Sequence, residues 1–153
     1  MKNNTKKIVW CFAFIIIVAV IGSVFVNLGG DWFNSLITPT EWVSNFIIPI
    51  MWTIIYGLFA LICFLWYKNG EIPKNVLALM VVNGILNVLW CLVFFTLNQL
   101  LLGNIVIILN LIAGYFLFSQ IYKNKKCYAY TILIYPVWLS IATTLNLALW
   151  ILN

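Results

Sequence analysis

The sequence predicts an all-α integral membrane protein, a bundle of five transmembrane helices, and three observations support this fold class. Of the 153 residues, 65% are hydrophobic, 7% are charged and none is histidine, whereas a soluble domain is typically about a quarter charged. Charged and turn residues divide the chain into five apolar runs, each near the roughly 20 residues that a spanning helix needs. The lysines lie at alternate ends of these runs, which is the pattern of a membrane protein with fixed orientation.

The five runs are interpreted as helices because they are continuous, whereas the strands of a membrane barrel alternate polar and apolar residues. The predicted spans are Ile8–Val26, Phe46–Tyr67, Lys74–Thr96, Leu100–Tyr122 and Cys127–Leu152. The first run follows several lysines, as a signal peptide does, but its apolar stretch is longer than a typical signal core, so we expect a retained helix. Pro136 is expected to kink the last span, because proline cannot donate a backbone hydrogen bond.

The positions of the basic residues predict the orientation of the bundle. All eight lysines lie before the first span, at the link between the second and third, or at the link between the fourth and fifth. The opposite ends carry no lysine, only Asp31 and Glu41. The positive-inside rule then places the N-terminus inside and the C-terminus outside. The net charge of +5 is therefore a topology signal and a contact for anionic lipid, and no nucleic-acid partner is expected.

Residues 1–153 are expected to form one domain, since no linker separates two parts of the chain. The links after the second, third and fourth spans are short, which predicts antiparallel neighbours in an up-and-down bundle. The exception is the external loop 27–45, which contains Trp32 and Trp42. A loop of this length is usually functional or disordered, and its tryptophans argue against disorder. These tryptophans could belong to an interfacial aromatic belt or to a lid over the bundle, and the sequence leaves both interpretations open.

Several classes of function are disfavoured by what the spans lack. No ionisable residue lies deep within a span, although proton relays, voltage sensors and pumps depend on such groups. Ordinary acid–base catalysis also lacks an agent, so no catalytic residue is expected. The cysteines, Cys11, Cys63, Cys91 and Cys127, form no CxxC pair, so we expect no metal site and reduced, buried thiols. The absence of an internal repeat disfavours the inverted-repeat transporters.

Aromatic and amide side chains are the remaining candidates for function, and helical spacing places them on single faces of three spans. The second span carries Trp52, Tyr56 and Phe59, the third Asn83, Asn87, Trp90 and Phe94, and the fifth Tyr135, Trp138, Ala142, Asn146 and Trp150. At about 1.5 Å per residue, Trp52, Trp90 and Ala142 each lie roughly 12 Å below the outer ends of their spans. These groups could be interhelical packing or the wall of a ligand pocket in the outer half of the membrane.

Three stretches of this set carry a family resemblance. Residues 49–56 (PIMWTIIY) are similar to a PxxWTxLY motif, residues 87–95 (NVLWCLVFF) to NxxWSxxFF, and residues 135–146 (YPVWLSIATTLN) to YxxWxxxATxLN. In this order, across five spans, they resemble the TspO family of tryptophan-rich sensory proteins, also called translocator proteins or peripheral-type benzodiazepine receptors. The loop around Trp32 also resembles the family's W-Y-x-x-L-x-K-P segment. The chain departs from the family at Val43, Ser44, Phe46, Val106 and Ile134, where a Pro-Pro pair, a tryptophan, an acidic residue and a proline are usual.

The resemblance implies a five-helix bundle in a bacterial cytoplasmic membrane, assembled as a homodimer, with a ligand pocket beneath the first loop. It implies binding of tetrapyrroles such as protoporphyrin IX or haem, and of sterols or benzodiazepine-type ligands, with no cofactor required. Carried over by position, the ligand-binding residues are Trp52, Tyr56, Asn87, Trp90, Trp138, Ala142 and Asn146, with Trp32 as a lid. The tryptophans would stack on the ligand, and Tyr56, Asn87 and Asn146 would orient it.

The leading hypothesis from the sequence is a membrane receptor or sensor for a flat hydrophobic tetrapyrrole. A second hypothesis is an enzyme that degrades porphyrin photo-oxidatively, since the pocket supplies electron-rich indoles. A third is a transporter of tetrapyrrole or sterol, which the lack of ionisable residues and repeats disfavours.

Overall fold

A computed structural model of the protein describes residues 2–39 and 43–153, with side chains from residue 5 onwards. The described residues form helices and connecting turns and contain no strand. The helices are α1 (Lys2–Leu28), α2 (Gly30–Ser35), α3 (Ile47–Asn69), α4 (Lys74–Cys91), α5 (Leu100–Asn124), α6 (Lys126–Ile132) and α7 (Ile134–Leu152). A π-helical turn, Leu92–Thr96, continues α4.

The prediction of five transmembrane helices is confirmed. Among the described residues, five helical segments are long and apolar enough to cross a membrane: Thr5–Leu28, Ile47–Asn69, Lys74–Thr96, Leu100–Asn124 and Lys126–Leu152. One end of the bundle, the loop end, contains α2 and the C-terminal residue, because the Asn153 side chain hydrogen-bonds both the N–H and the carbonyl of Ile37. The other end carries the lysines and is called the lysine end. A Lys7–Glu71 ion pair of 2.9 Å closes α1 onto the α3–α4 link there.

The helices form a closed ring with an unexpected neighbour order. Going round the ring, α3 packs against α1, α1 against α4, α4 against α5, and α5 against α6 and α7, which return to α3. The expectation that short links join direct neighbours holds for α4 with α5 and for α5 with α6. It is wrong for α3 and α4, whose described Cα atoms nowhere approach within 8 Å of each other.

The packing of α1 against both α3 and α4, alongside the gap between them, accounts for this correction. A Cβ atom on Gly84 of α4 would lie 2.6 Å from the ring of Phe14, and one on Gly22 of α1 would lie 3.5 Å from the Sγ of Cys91. The small residues therefore let α1 sit closely along α4. At the link, Gly70 has φ 144°, a conformation that glycine adopts easily, so the chain turns and leaves space between α3 and α4.

The described part of the loop 27–45 is only partly irregular, because α2 folds back onto the π-helical turn that continues α4. A Cβ atom on Gly29 would clash with the backbone carbonyl of Phe95, so only glycine allows α2 to begin this close to the π-helical turn. The Trp32 ring lies 5.7 Å from that of Phe94 in an edge-to-face contact. This contact packs Trp32 against the bundle, while Glu41 and Trp42 lie outside the described residues.

The last span is interrupted as Pro136 predicts. The helix ends at Ile132 and restarts at Ile134, because the missing N–H of Pro136 leaves the carbonyl of Ile132 without its usual partner. Helical bonding resumes with the N–H of Val137, which donates to the carbonyl of Leu133 at 3.4 Å. The interruption separates α6, which packs on α5 and also on α3, from α7, which packs mainly on α5.

Candidate ligand-binding site

A cavity of about 600 Å³ occupies the gap between α3 and α4 at the loop end. Its volume lies within the range of about 300–1,000 Å³ that is typical of small-molecule sites. Residues of α1, α2, α3, α4 and the π-helical turn line it: Ala19, Gly22, Ser23, Val26, Asn27, Gly30, Phe33, Asn34, Asn45, Ile48, Pro49, Trp52, Thr53, Tyr56, Asn87, Trp90, Cys91 and Phe95. Every lining residue precedes residue 96, so α5, α6 and α7 contribute none of the wall.

Four of the predicted site residues meet on this wall: Trp52 and Tyr56 from α3, and Asn87 and Trp90 from α4. The ring of Trp52 lies 6.2 Å from that of Trp90 and 5.9 Å from that of Tyr56, with interplanar angles of 34° and 30°. The spacing of four residues on α3 puts Trp52 above Tyr56 on the same helical face. The result is an aromatic wall that spans the gap between two helices whose backbones do not touch.

The polar group of this wall is Asn87, which is 4% exposed. Its Nδ2 donates a hydrogen bond of 2.8 Å to the hydroxyl of Tyr56. Its Oδ1 has no partner among the described residues. An unpaired polar atom is costly in an apolar interior, so Asn87 is a buried amide beside the cavity whose hydrogen bonding the described residues leave incomplete.

Three other predicted site residues, Trp138, Ala142 and Asn146, lie behind the wall rather than on it. The Oδ1 of Asn146 accepts a 3.0 Å hydrogen bond from the Nε1 of Trp90, and its Nδ2 donates to the carbonyl of Ala142. Ala142 and Trp90 share one buried cluster. Asn146 and Ala142 therefore hold the indole of Trp90 in place from α7. Trp138 is 5% exposed and packs in the cluster of the lysine-end half, and its Nε1 has no partner among the described residues.

The cavity lining includes Phe33, the neighbour of the predicted lid residue Trp32. Trp32 packs on Phe94 and is not part of the lining, whereas Phe33 lines the cavity and lies 5.3 Å from the ring of Phe95. Below the cavity, a narrow space of about 40 Å³ shares Trp52, Tyr56 and Asn87 with it. A space of this size holds an ordered water more readily than part of a ligand.

The sequence interpretation missed the contribution of α1. Ala19, Gly22, Ser23 and Val26 line the cavity, and their spacing of three, four and seven residues places them on one helical face. The available signal was this row of small residues, which leaves room beside a helix. These residues have no aromatic or amide side chains, so their pattern is harder to recognise in the sequence than the aromatic rows of the other spans.

The arrangement is suited to noncovalent binding of a flat apolar molecule. No Asp, Glu or Lys side chain lines the cavity, and the described residues contain no group of three metal-ligating side chains. Aromatic rings at these separations provide dispersion and quadrupole interactions with a planar guest. Specificity would come from Asn87, the Tyr56 hydroxyl and the polar residues at the mouth.

The comparison with known proteins agrees with the three motifs. The profile of the TspO/MBR family matches residues 11–151. The tryptophan-rich protein TspO of Archaeoglobus fulgidus is 28% identical over 152 residues, which cover 98% of this chain and 99% of that protein. Protein CrtK of Rhodobacter capsulatus is 27% identical over 128 residues, which cover 81% of this chain and 79% of that protein. The family match over nearly the whole chain, on a five-span bundle, shows that the protein is an integral membrane protein of the TspO/MBR family, a membership that supports a sensor- or receptor-type role.

Proposed function

We propose that the protein is a membrane receptor or sensor that binds a tetrapyrrole, protoporphyrin IX or haem, in the cavity between α1, α3 and α4. The observation that carries the proposal is the pair of indoles, Trp52 and Trp90, held 6.2 Å apart on one wall of a cavity of about 600 Å³. Sterols or benzodiazepine-type compounds are alternative occupants of the same space, since both are largely apolar and smaller than a tetrapyrrole.

The energetics favour a large planar ligand. Apolar area removed from water contributes about 25 cal/mol per Å², and ring contacts add about 0.5–1.5 kcal/mol for each aromatic pair. The wall also needs little reorganisation on binding, because Asn146 already fixes the Trp90 indole through a 3.0 Å hydrogen bond. A ligand that covers the partly exposed Trp52 indole beside the buried Trp90 gains most from this geometry.

The test is a titration of protoporphyrin IX against the protein in lipid nanodiscs, followed by quenching of tryptophan fluorescence. We expect saturable quenching in the wild type, and an affinity that falls about tenfold in Trp52→Leu because one ring contact and its buried area are lost. Trp150→Leu is the matched control, because Trp150 is exposed and does not line the cavity. Equal affinities of the two variants would contradict this site.

Light-dependent breakdown of the bound pigment is a second candidate, favoured by the oxidisable groups on the wall. The Trp52 and Trp90 indoles and the Cys91 thiol all face the cavity, where a photoexcited tetrapyrrole and molecular oxygen would meet them. Illumination of the complex under air should then bleach the pigment faster than illumination of free pigment in empty nanodiscs. Equal bleaching rates would exclude this activity and leave the receptor proposal intact.

A further inference from the structure

We propose that the mouth of the cavity is a second subsite, which binds the carboxylate groups of the ligand through three neutral carboxamides, Asn27, Asn34 and Asn45. This inference rests on the proposed function and specifies its ligand class. The ligand is a flat macrocycle that carries acidic groups on one edge, with its apolar edge directed towards Trp52 and Trp90.

The three asparagines line one cavity from three different parts of the fold. Asn27 lies near the end of α1, Asn34 lies in α2, and Asn45 lies just before α3, yet all three line the cavity. All three are exposed, and no hydrogen bond to another described residue occupies their side chains. Each carboxamide therefore has two N–H donors available to an acceptor at the mouth.

The charge distribution explains why neutral amides, rather than cationic side chains, would bind the carboxylates. Every lysine lies at the lysine end, so no cationic side chain faces the mouth from any described part of the loop end. The charged side chain that the described residues place at this end is Asp31, which is exposed on α2.

The two subsites divide the cavity by polarity. The indoles of Trp52 and Trp90 and the buried Asn87 form one part of the lining, and the three exposed carboxamides form another. A diacid bound with its carboxylates at the mouth keeps them partly solvated, which avoids the large cost of burying a charge. A ligand with acidic groups on opposite edges would have to bury one of them and would be excluded.

The test compares two free-base porphyrins in nanodiscs of zwitterionic lipid: protoporphyrin IX and an etioporphyrin, which has the same ring with alkyl groups in place of the acids. The wild type should bind the diacid about tenfold more tightly. Each of Asn27→Ala, Asn34→Ala and Asn45→Ala should weaken diacid binding about two- to fivefold, as expected for one hydrogen bond. Etioporphyrin binding should not change, and it also reports that each variant is folded. Asn124→Ala, at the lysine end of α5, is the matched control.

Salt dependence distinguishes an amide subsite from a cationic one. Because Asp31 is the charged side chain that the described residues place at this end, raising the salt from about 50 to 500 mM screens its repulsion of the diacid. Diacid affinity should therefore stay constant or rise. A fall with salt would show that a cation binds the acids and would overturn the inference. Equal affinity of the wild type for both porphyrins would also overturn it while the receptor proposal stands. Saturable binding of neither porphyrin would overturn the receptor proposal itself.

Discussion

At the scale of single residues, the cavity wall depends on side chains that do not touch the cavity. The Trp90 indole is fixed by Asn146, whose own amide bonds back to the carbonyl of Ala142 one turn earlier. A second amide, Asn104 of α5, donates to the backbone carbonyl of Asn146 at 3.4 Å. Asparagines on α5 and α7 thus position an aromatic ring on α4, which is a use of amides that membrane interiors favour.

Removal of the Trp90 hydrogen bond gives the first prediction. Trp90→Phe keeps an aromatic ring but leaves Oδ1 of Asn146 unpaired at 3% exposure, so the free energy of unfolding should fall by about 0.5–2 kcal/mol. Equilibrium unfolding in detergent, followed by circular dichroism, measures this loss. Trp150→Phe is the control, because Trp150 is exposed to lipid and should change stability by less than about 0.5 kcal/mol. An equal loss in both variants would show that the hydrogen bond contributes nothing.

The site could be predicted from the sequence only where its residues have aromatic or amide side chains at helical spacing. Trp52, Tyr56, Asn87 and Trp90 follow helical spacing and do line the cavity. Helical spacing and depth do not separate residues on the wall from those one layer behind it, so the hydrogen bond between Asn146 and Trp90 could not be predicted from them. Distinguishing the two layers requires the order of helices around the ring, and no property of a single helix contains that order.

At the scale of elements, the position of α2 depends on Gly29, which allows close approach to the π-helical turn, and on the ring contacts of Trp32 and Phe33. Gly29→Ala should move α2 away from the π-helical turn, because the added methyl group meets the rigid backbone of Phe95. Overpacking of this kind costs about 1–3 kcal/mol, and we expect faster proteolysis within residues 30–39. Gly30→Ala is the control, since nothing lies within 4 Å of a Cβ atom there. Cleavage of both variants as slowly as the wild type would contradict this role of Gly29 in positioning α2.

The elements themselves could be predicted because hydropathy and proline act locally. The spans, and the interruption caused by Pro136, follow from short windows of sequence. The neighbour order does not, since the four-residue α3–α4 link only limits how far the two helices separate. The packing of Phe14 against Gly84 brings α1 alongside α4, and such a long-range fit has no local signature. The π-helical turn likewise depends on contacts such as that of Thr96 Oγ1 with the carbonyl of Phe25 at 3.1 Å.

At the scale of the whole molecule, the lysine pattern predicts an orientation that labelling can test. An impermeant maleimide applied to intact cells should not modify Cys127, the exposed cysteine next to Lys126. In a Cys127→Ser background, Gln99→Cys should react, because Gln99 is exposed at the loop end. Permeabilised cells provide the control, in which both cysteines react. Labelling of Cys127 in intact cells would reverse the predicted topology.

The position of the cavity between α1, α3 and α4 also has a consequence for engineering. All of the lining precedes residue 96, whereas the supporting asparagines, Asn104 and Asn146, come later. Ligand preference should therefore be transplantable: a chimera of residues 1–96 with the last two spans of a relative should keep the porphyrin selectivity of this protein. Its thermal stability should follow the donor of those spans, which competition binding and unfolding of both parents and the chimera would measure. The first three spans would then determine ligand recognition, and the last two would stabilise them and could be exchanged between relatives.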